Sequence, residues 1–155
     1  MAEAGESPRT QLRQRLQQSH EAVLAVVAPM AAEEGEAPAN PGWRRRDVLA
    51  HLVSAEIGHC QVIRRLLAGQ PTLIPGFVLD EFNNAEVEAR RWQSLPELIA
   101  EYQANRVATL ALLDSIDENQ WAIAGPHPGG FDSTVEGVFR VIAIHEKRHL
   151  RELQP

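Results

Sequence analysis

Four long segments of this chain carry apolar residues at helical spacing, and the links between them are unequal. Short connections join the first segment to the second and the third to the fourth. Roughly 25 residues, 70–94, separate the second from the third, enough to climb the roughly 30 Å of a 20-residue helix. Only a chain that returns to its starting end before the third helix needs such a link. The expected fold is therefore all-α: a four-helix bundle of up-down-down-up topology, with a long crossover from the second helix to the third. No segment shows convincing strand alternation.

The helix boundaries follow from capping chemistry. Ser7-Pro8 offers an N-cap and a proline in the first turn, and the first helix, with Leu12, Leu16, Val23, Val27 and Met30 on one stripe, runs to about Pro29. After a loop over 31–42, the second helix spans about Arg45 to Ala68 and stops at Gly69 and Pro71. Within the crossover, Pro75-Gly76 marks a turn and Asp80 to Arg91 a short helix. Ser94-Leu-Pro-Glu97 forms a capping box for the third helix, whose face carries Leu98, Tyr102, Thr109, Leu113 and Ile116 to about Ser115. The cluster over 125–130 is a turn, and Ser133-Thr-Val-Glu136 reads as a second capping box opening a fourth helix that ends near Leu153.

A length of 155 residues suits a single domain over 1–155, with residues 1–6 as a frayed tail. The formal charge of −6 removes the electrostatic footprint of a nucleic-acid binder. No run reaches the roughly 20 apolar residues of a membrane span, and the N-terminus lacks a basic region followed by an apolar one. The expected location is the cytoplasm, with no membrane partner. One cysteine, Cys60, excludes a disulfide framework and reads as a small core hydrophobe.

Any bound metal must then be held by histidine and carboxylate. His145-Glu-Lys-Arg-His149 places two imidazoles four residues apart on one face of the fourth helix, a spacing at which both can reach one ion. The same spacing also occurs in ordinary hydrogen-bonded histidines. In the expected topology, depth from the shared bundle end puts His51 level with that pair, roughly 6 to 12 Å in, and His59 roughly 20 Å in. The helical wheel alone favours His59; depth favours His51 as third ligand. Two rival readings are open. His145-Glu146-x-x-His149 matches the short metallopeptidase signature without further protease machinery. Glu56-x-x-His59 and Glu146-x-x-His149 formally match a di-iron carboxylate bundle, but at unequal depths.

The stretches Trp43-Arg-Arg-Arg-Asp-Val-Leu-Ala-His51-Leu, Asp80-Glu-Phe-Asn-Asn84, His127-Pro-Gly-Gly and His145-Glu-Lys-Arg-His149-Leu, in this order, resemble the DinB/YfiT-like superfamily over nearly the whole chain. The resemblance implies an up-down-down-up bundle, frequently a homodimer, holding a divalent transition metal, zinc or nickel, on three histidines. Transferred onto this sequence, those are His51, His145 and His149. It further implies a small-molecule substrate and a low-molecular-weight thiol cofactor of the bacillithiol or mycothiol kind. The expected function is a metal-dependent thiol transferase; the alternative is a non-catalytic metal- or small-ligand-binding bundle.

Other residues are weighed on position. Tyr102 and Asn105, early on the third helix, are candidates for a substrate pocket, as are Phe82, Asn83 and Trp92 from the crossover. Tyr102 and Asn83 are carried as cofactor-binding candidates. Asp47 and Glu146 are candidate acceptors behind the ligand imidazoles. His127, in the turn between the third and fourth helices, belongs at the far end of the bundle and is not a ligand. His20 reads as a partly buried core histidine. Arg44-Arg45-Arg46 either attracts an anionic cofactor or faces solvent.

Overall fold

The computed structural model describes residues 5–155. The elements are α1 (Pro8–Val27), α2 (Ala32–Gly35), α3 (Arg45–Leu67), α4 (Leu79–Ala89), α5 (Leu95–Asp114), β1 (Ala124–His127), β2 (Phe131–Thr134) and α6 (Val135–Leu153). The four long helices are α1, α3, α5 and α6. Of the expected N-terminal tail, residues 1–4 lie outside the described residues, and Gly5 and Glu6 are exposed ahead of α1.

Two apolar clusters settle the direction of each helix. One gathers Val23 and Val27 from the end of α1, Val48, Leu49 and Leu52 from the start of α3, Leu98 and Tyr102 from the start of α5, and Leu153 from the end of α6. The other gathers Leu12, Leu16, Ile63, Leu66, Leu113, Val138 and Phe139 from the opposite ends. Thus α1 and α6 run one way and α3 and α5 the other, which is the up-down-down-up arrangement. Every stripe residue expected in α1 except Met30 is fully buried, as are Val135, Val138, Ile142 and Leu153 of α6.

Caps act largely as read. Ser7 Oγ accepts from the Thr10 amide. At the start of α5, Ser94 Oγ accepts from the Glu97 amide while the Glu97 carboxylate accepts from the Ser94 amide at 2.6 Å. Ser94→Ala removes one arm of this box and should lower unfolding free energy by about 1 kcal/mol in urea titrations; an unchanged midpoint would contradict the assignment.

The segment ahead of α6 departs from expectation. Ala124–His127 and Phe131–Thr134 pair as an antiparallel hairpin, Ala124 opposite Thr134 and His127 opposite Phe131. Ser133 is consumed by this pairing, so the helix is capped one residue later: Thr134 Oγ1 accepts from the Gly137 amide, and Glu136 pairs with Arg140. The hairpin lies back along α3. A Cβ at Gly125 would sit 2.8 Å from Leu66 Cδ2, and Thr72 Oγ1 donates to the Pro126 carbonyl. A larger residue at 125 would require the end of the Leu66 side chain to shift.

A charged network occupies the middle of the bundle. Arg106 on α5 pairs with Glu56 of α3, Nε to Oε1 at 2.8 Å, and with Glu146 of α6, and also donates to the Leu16 carbonyl of α1. Thr109 donates to Glu56 at 2.6 Å, and Tyr102 to Glu146 at 2.8 Å. Each buried oxygen thus has a partner. His20 stacks on Tyr102, ring centroids 4.5 Å apart.

Burial, and then the charge of Arg106, lower the His20 pKa from 6.5 to about 4. The unfolded chain takes up this proton near pH 6.5 and the folded one only near pH 4. The stabilisation is therefore whole above pH 6.5 and is lost as pH falls toward 4. The stability difference between wild type and His20→Gln should accordingly shrink from pH 7 to pH 5 in urea titrations; a difference independent of pH would contradict it.

Candidate metal centre

The apolar stripe of α6 passes through Ile142 and Glu146, which turns His145 and His149 toward its flank, where α3 lies alongside. His145 and His149 therefore line the outer seam between α3 and α6. There they meet His51, which is 5 % exposed and packs against the Trp43 ring at a centroid distance of 4.9 Å. The Nε2 atom of His145 lies 3.0 Å from that of His51 and 3.1 Å from that of His149. One nitrogen from each ring falls within 4.8 Å of the others.

The geometry is poorly served by hydrogen bonds. A neutral imidazole Nε2 offers one proton or one lone pair, so the central His145 nitrogen can satisfy only one of its two neighbours. A shared cation satisfies all three. Nitrogens bound at about 2.0–2.1 Å to a tetrahedral ion stand about 3.3 Å apart, close to the separations observed.

Protonation favours the same conclusion. Burial, with His149 nearby, lowers the His51 pKa to about 4, and burial with the adjoining imidazoles of His51 and His149 lowers that of His145 to about 2. Both rings are neutral at pH 7, the form that binds metal. His149 Nδ1 donates to Glu152 at 2.7 Å, leaving its Nε2 lone pair directed at the cluster, and Asn40 holds the other Glu152 oxygen at 2.6 Å. The buried Nδ1 of His51 has no partner among the described residues.

The seam opens into a pocket of about 670 Å³. His51, His145 and His149 form one wall, and Ile74, Phe77, Phe82 and Asn83 of the crossover the roof, with the hairpin at the far side. Asn83 and Phe82 line the pocket. Trp92 does not, being 84 % exposed and under the Arg91 guanidinium.

Several expectations are corrected. Tyr102 is fully buried against Glu146 and Asn105 donates to the Val53 carbonyl, so both face the bundle interior and not the pocket. A residue on the core stripe of α5 cannot also face an outer seam. Asp47 does not support His51; it accepts from the Arg44 amide and side chain at the start of α3. Glu146 is likewise committed to Tyr102 and Arg106, which removes the base a metallopeptidase would need. Both carboxylates of the formal di-iron pattern flank a guanidinium instead of an iron pair. The basic run is not simply solvated: Arg44 pairs with Glu36 and Asp47, and Arg46 donates to the Gln93 carbonyl. Glu152, behind His149, was missed; its place three residues along the same helix was the available signal.

His127 is also displaced from its expected position. The hairpin carries it roughly 13 Å back from the bundle end, at about 3.3 Å per strand residue, to a point 3.0 Å from His59. It lines the pocket without joining the three-imidazole cluster. Cys60 is buried beside Thr109, and burial raises its pKa, so it remains a thiol.

Comparison with known proteins agrees with this architecture. The sequence profile of the DinB superfamily matches residues 15–153. No curated protein matches the chain. Among solved structures, the mycothiol-dependent maleylpyruvate isomerase superposes with a TM-score of 0.81 at 15% identity, covering 99% of this chain and 63% of that one. A mutant of the same isomerase superposes equally well. An uncharacterised protein from Escherichia coli UTI89 gives a TM-score of 0.74 at 12% identity, over 94% of this chain and 90% of that one. The chain thus spans less than two thirds of the isomerase's length, and at these identities the likeness concerns the fold.

Proposed function

The chain belongs to the DinB superfamily, and on that footing we propose that it is a metal-dependent enzyme that uses a low-molecular-weight thiol to act on a small-molecule substrate. The observation that carries this reading is the convergence of three Nε2 atoms on the wall of an open pocket. His51, His145 and His149 are the proposed ligands of one divalent ion, zinc or nickel, since three imidazoles suit either. Held there, such an ion would supply Lewis acidity that lowers the pKa of a bound thiol or water toward neutrality.

The remaining work falls to the chain itself. Glu152 fixes the His149 tautomer, and Trp43 packs on His51 and holds its ring against the cluster. Ile74, Phe77 and Phe82 give the pocket an apolar roof, while Asn83 offers an amide to the ligand. Tyr102 sits away from this space and is no longer a candidate contact for the cofactor.

Glu152→Gln keeps the shape but weakens the acceptor behind His149. Zinc affinity should fall about 10- to 100-fold in competition with a chromophoric chelator; unchanged affinity would show that Glu152 plays no part. The function itself is tested by offering zinc- or nickel-loaded protein mycothiol or another small thiol with a panel of electrophiles. Metal-dependent thioether or isomer formation supports the enzyme reading.

The second reading, a non-catalytic metal- or ligand-binding bundle, draws on one observation: among the described residues no carboxylate lines the pocket. Absence of turnover despite a bound, exchangeable ion would favour it. A cytoplasmic homodimer completes the proposal. Its support is twofold: no helix among the described residues is long and apolar enough to cross a membrane, and Leu73, Ile74, Val78 and Leu79 expose an apolar run beside the pocket.

A further inference from the structure

Beside the three-imidazole cluster, the pocket wall holds a second imidazole pair. His59 Nδ1 on α3 and His127 Nε2 at the end of β1 are 3.0 Å apart. The next bond along settles its polarity. The backbone amide of Gly129 can only donate, and it lies 2.9 Å from His127 Nδ1, so that nitrogen carries a lone pair. His127 then keeps its proton on Nε2, because a ring bare at both nitrogens would be an imidazolate. It donates to His59 Nδ1, and His59 in turn keeps its proton on Nε2.

Two successive bonds thus impose one tautomer on a pocket imidazole, the means by which an orienting partner prepares a histidine for a single role. The backbone supports the arrangement. A Cβ at residue 129 would lie 3.0 Å from His127 Nδ1, so glycine permits the amide's approach, and Phe131 stacks on the His127 ring at 4.5 Å and 10°. His59 Nε2 has no acceptor among the described residues and is not sealed from the pocket that the ring lines. Its ring centroid is 5.9 Å from that of His145. Although the whole chain carries a net charge of −6, the charged side chains lining this pocket are Arg65 and Arg148, with no carboxylate among them.

We propose that His59, oriented by His127, is a hydrogen-bond donor that docks an anionic oxygen of the pocket ligand beside the three imidazoles, which selects small carboxylates with an apolar body. The inference rests on the pocket being a small-molecule site, as proposed above, and not on the presence of an ion.

The test uses ¹⁵N-labelled full-length protein, metal-free and zinc-loaded, with benzoate as probe and benzamide as its neutral counterpart. Long-range ¹H–¹⁵N spectra should show His59 and His127 both protonated on Nε2 in the metal-free protein. In calorimetric titrations, benzoate should bind about tenfold or more tightly than benzamide. His59→Phe should weaken benzoate about tenfold, whereas His59→Gln, whose amide nitrogen falls near Nε2, should stay within about threefold of wild type. A proton on His59 Nδ1, benzoate affinity indifferent to His59→Phe, or no benzoate binding to either form would overturn the proposal. Should zinc fail to bind while the tautomers and the benzoate results hold, the metal reading alone falls.

Discussion

Arg106→Met should destabilise the protein by about 3–5 kcal/mol, the loss typical of breaking a buried ion pair by removing one partner. Glu56 and Glu146 are each 2 % exposed and face each other across the Arg106 guanidinium. Without the cation they keep only the hydroxyls of Thr109 and Tyr102, and the Leu16 carbonyl loses one of its donors and keeps the Ser19 hydroxyl at 3.3 Å. Urea unfolding at pH 7 reads the effect directly. Adding Glu56→Gln and Glu146→Gln to the same chain removes both stranded charges and should recover much of the loss. A single-variant loss below about 1 kcal/mol would mean that the network is solvated in solution.

His145→Ala should have the largest effect on metal binding. Its Nε2 is the member of the cluster within 3.1 Å of both others, so its removal leaves two imidazoles with no nitrogen between them. Loss of a partner behind a ligand commonly weakens metal binding 10- to 100-fold, and loss of the ligand itself should exceed about 100-fold. Zinc competition with a chromophoric chelator measures this, with circular dichroism confirming an intact bundle. His127→Ala, which lies outside the cluster, should retain one equivalent of zinc. Equal losses in both variants would point to general damage and not to ligation.

Topology was legible because it depends on loop length and capping, both of which are local. The choice of His51 over His59 came from depth along antiparallel and parallel helices, and the structure brings His51, not His59, to the α6 pair. Which side of the helices the site occupies was not legible. The stripe Val138, Ile142, Glu146 and Leu153 runs through an acid, as the α5 stripe runs through Arg106 and the α3 stripe through Glu56. Two acids and one arginine at core positions mark a buried network, and a stripe that runs through Glu146 leaves His145 and His149 on its flank. Position early on α5 marks Tyr102 and Asn105 as near the metal end of the bundle but not as facing its interior. The hairpin escaped notice because its strands, Ala124–His127 and Phe131–Thr134, are four residues each and rich in turn formers, so neither composition nor alternation marks them. Its pairing is a consequence of packing on α3.

His51, His145 and His149 are proposed to form a metal centre open to a ligand pocket. X-ray absorption spectroscopy of the zinc-loaded protein, prepared at one equivalent, tests it most directly. The expected first shell is three imidazole nitrogens at about 2.0–2.1 Å and a further light atom that changes when a small thiol is added. Failure to retain one equivalent of zinc, or a first shell with fewer than three imidazoles, would contradict it.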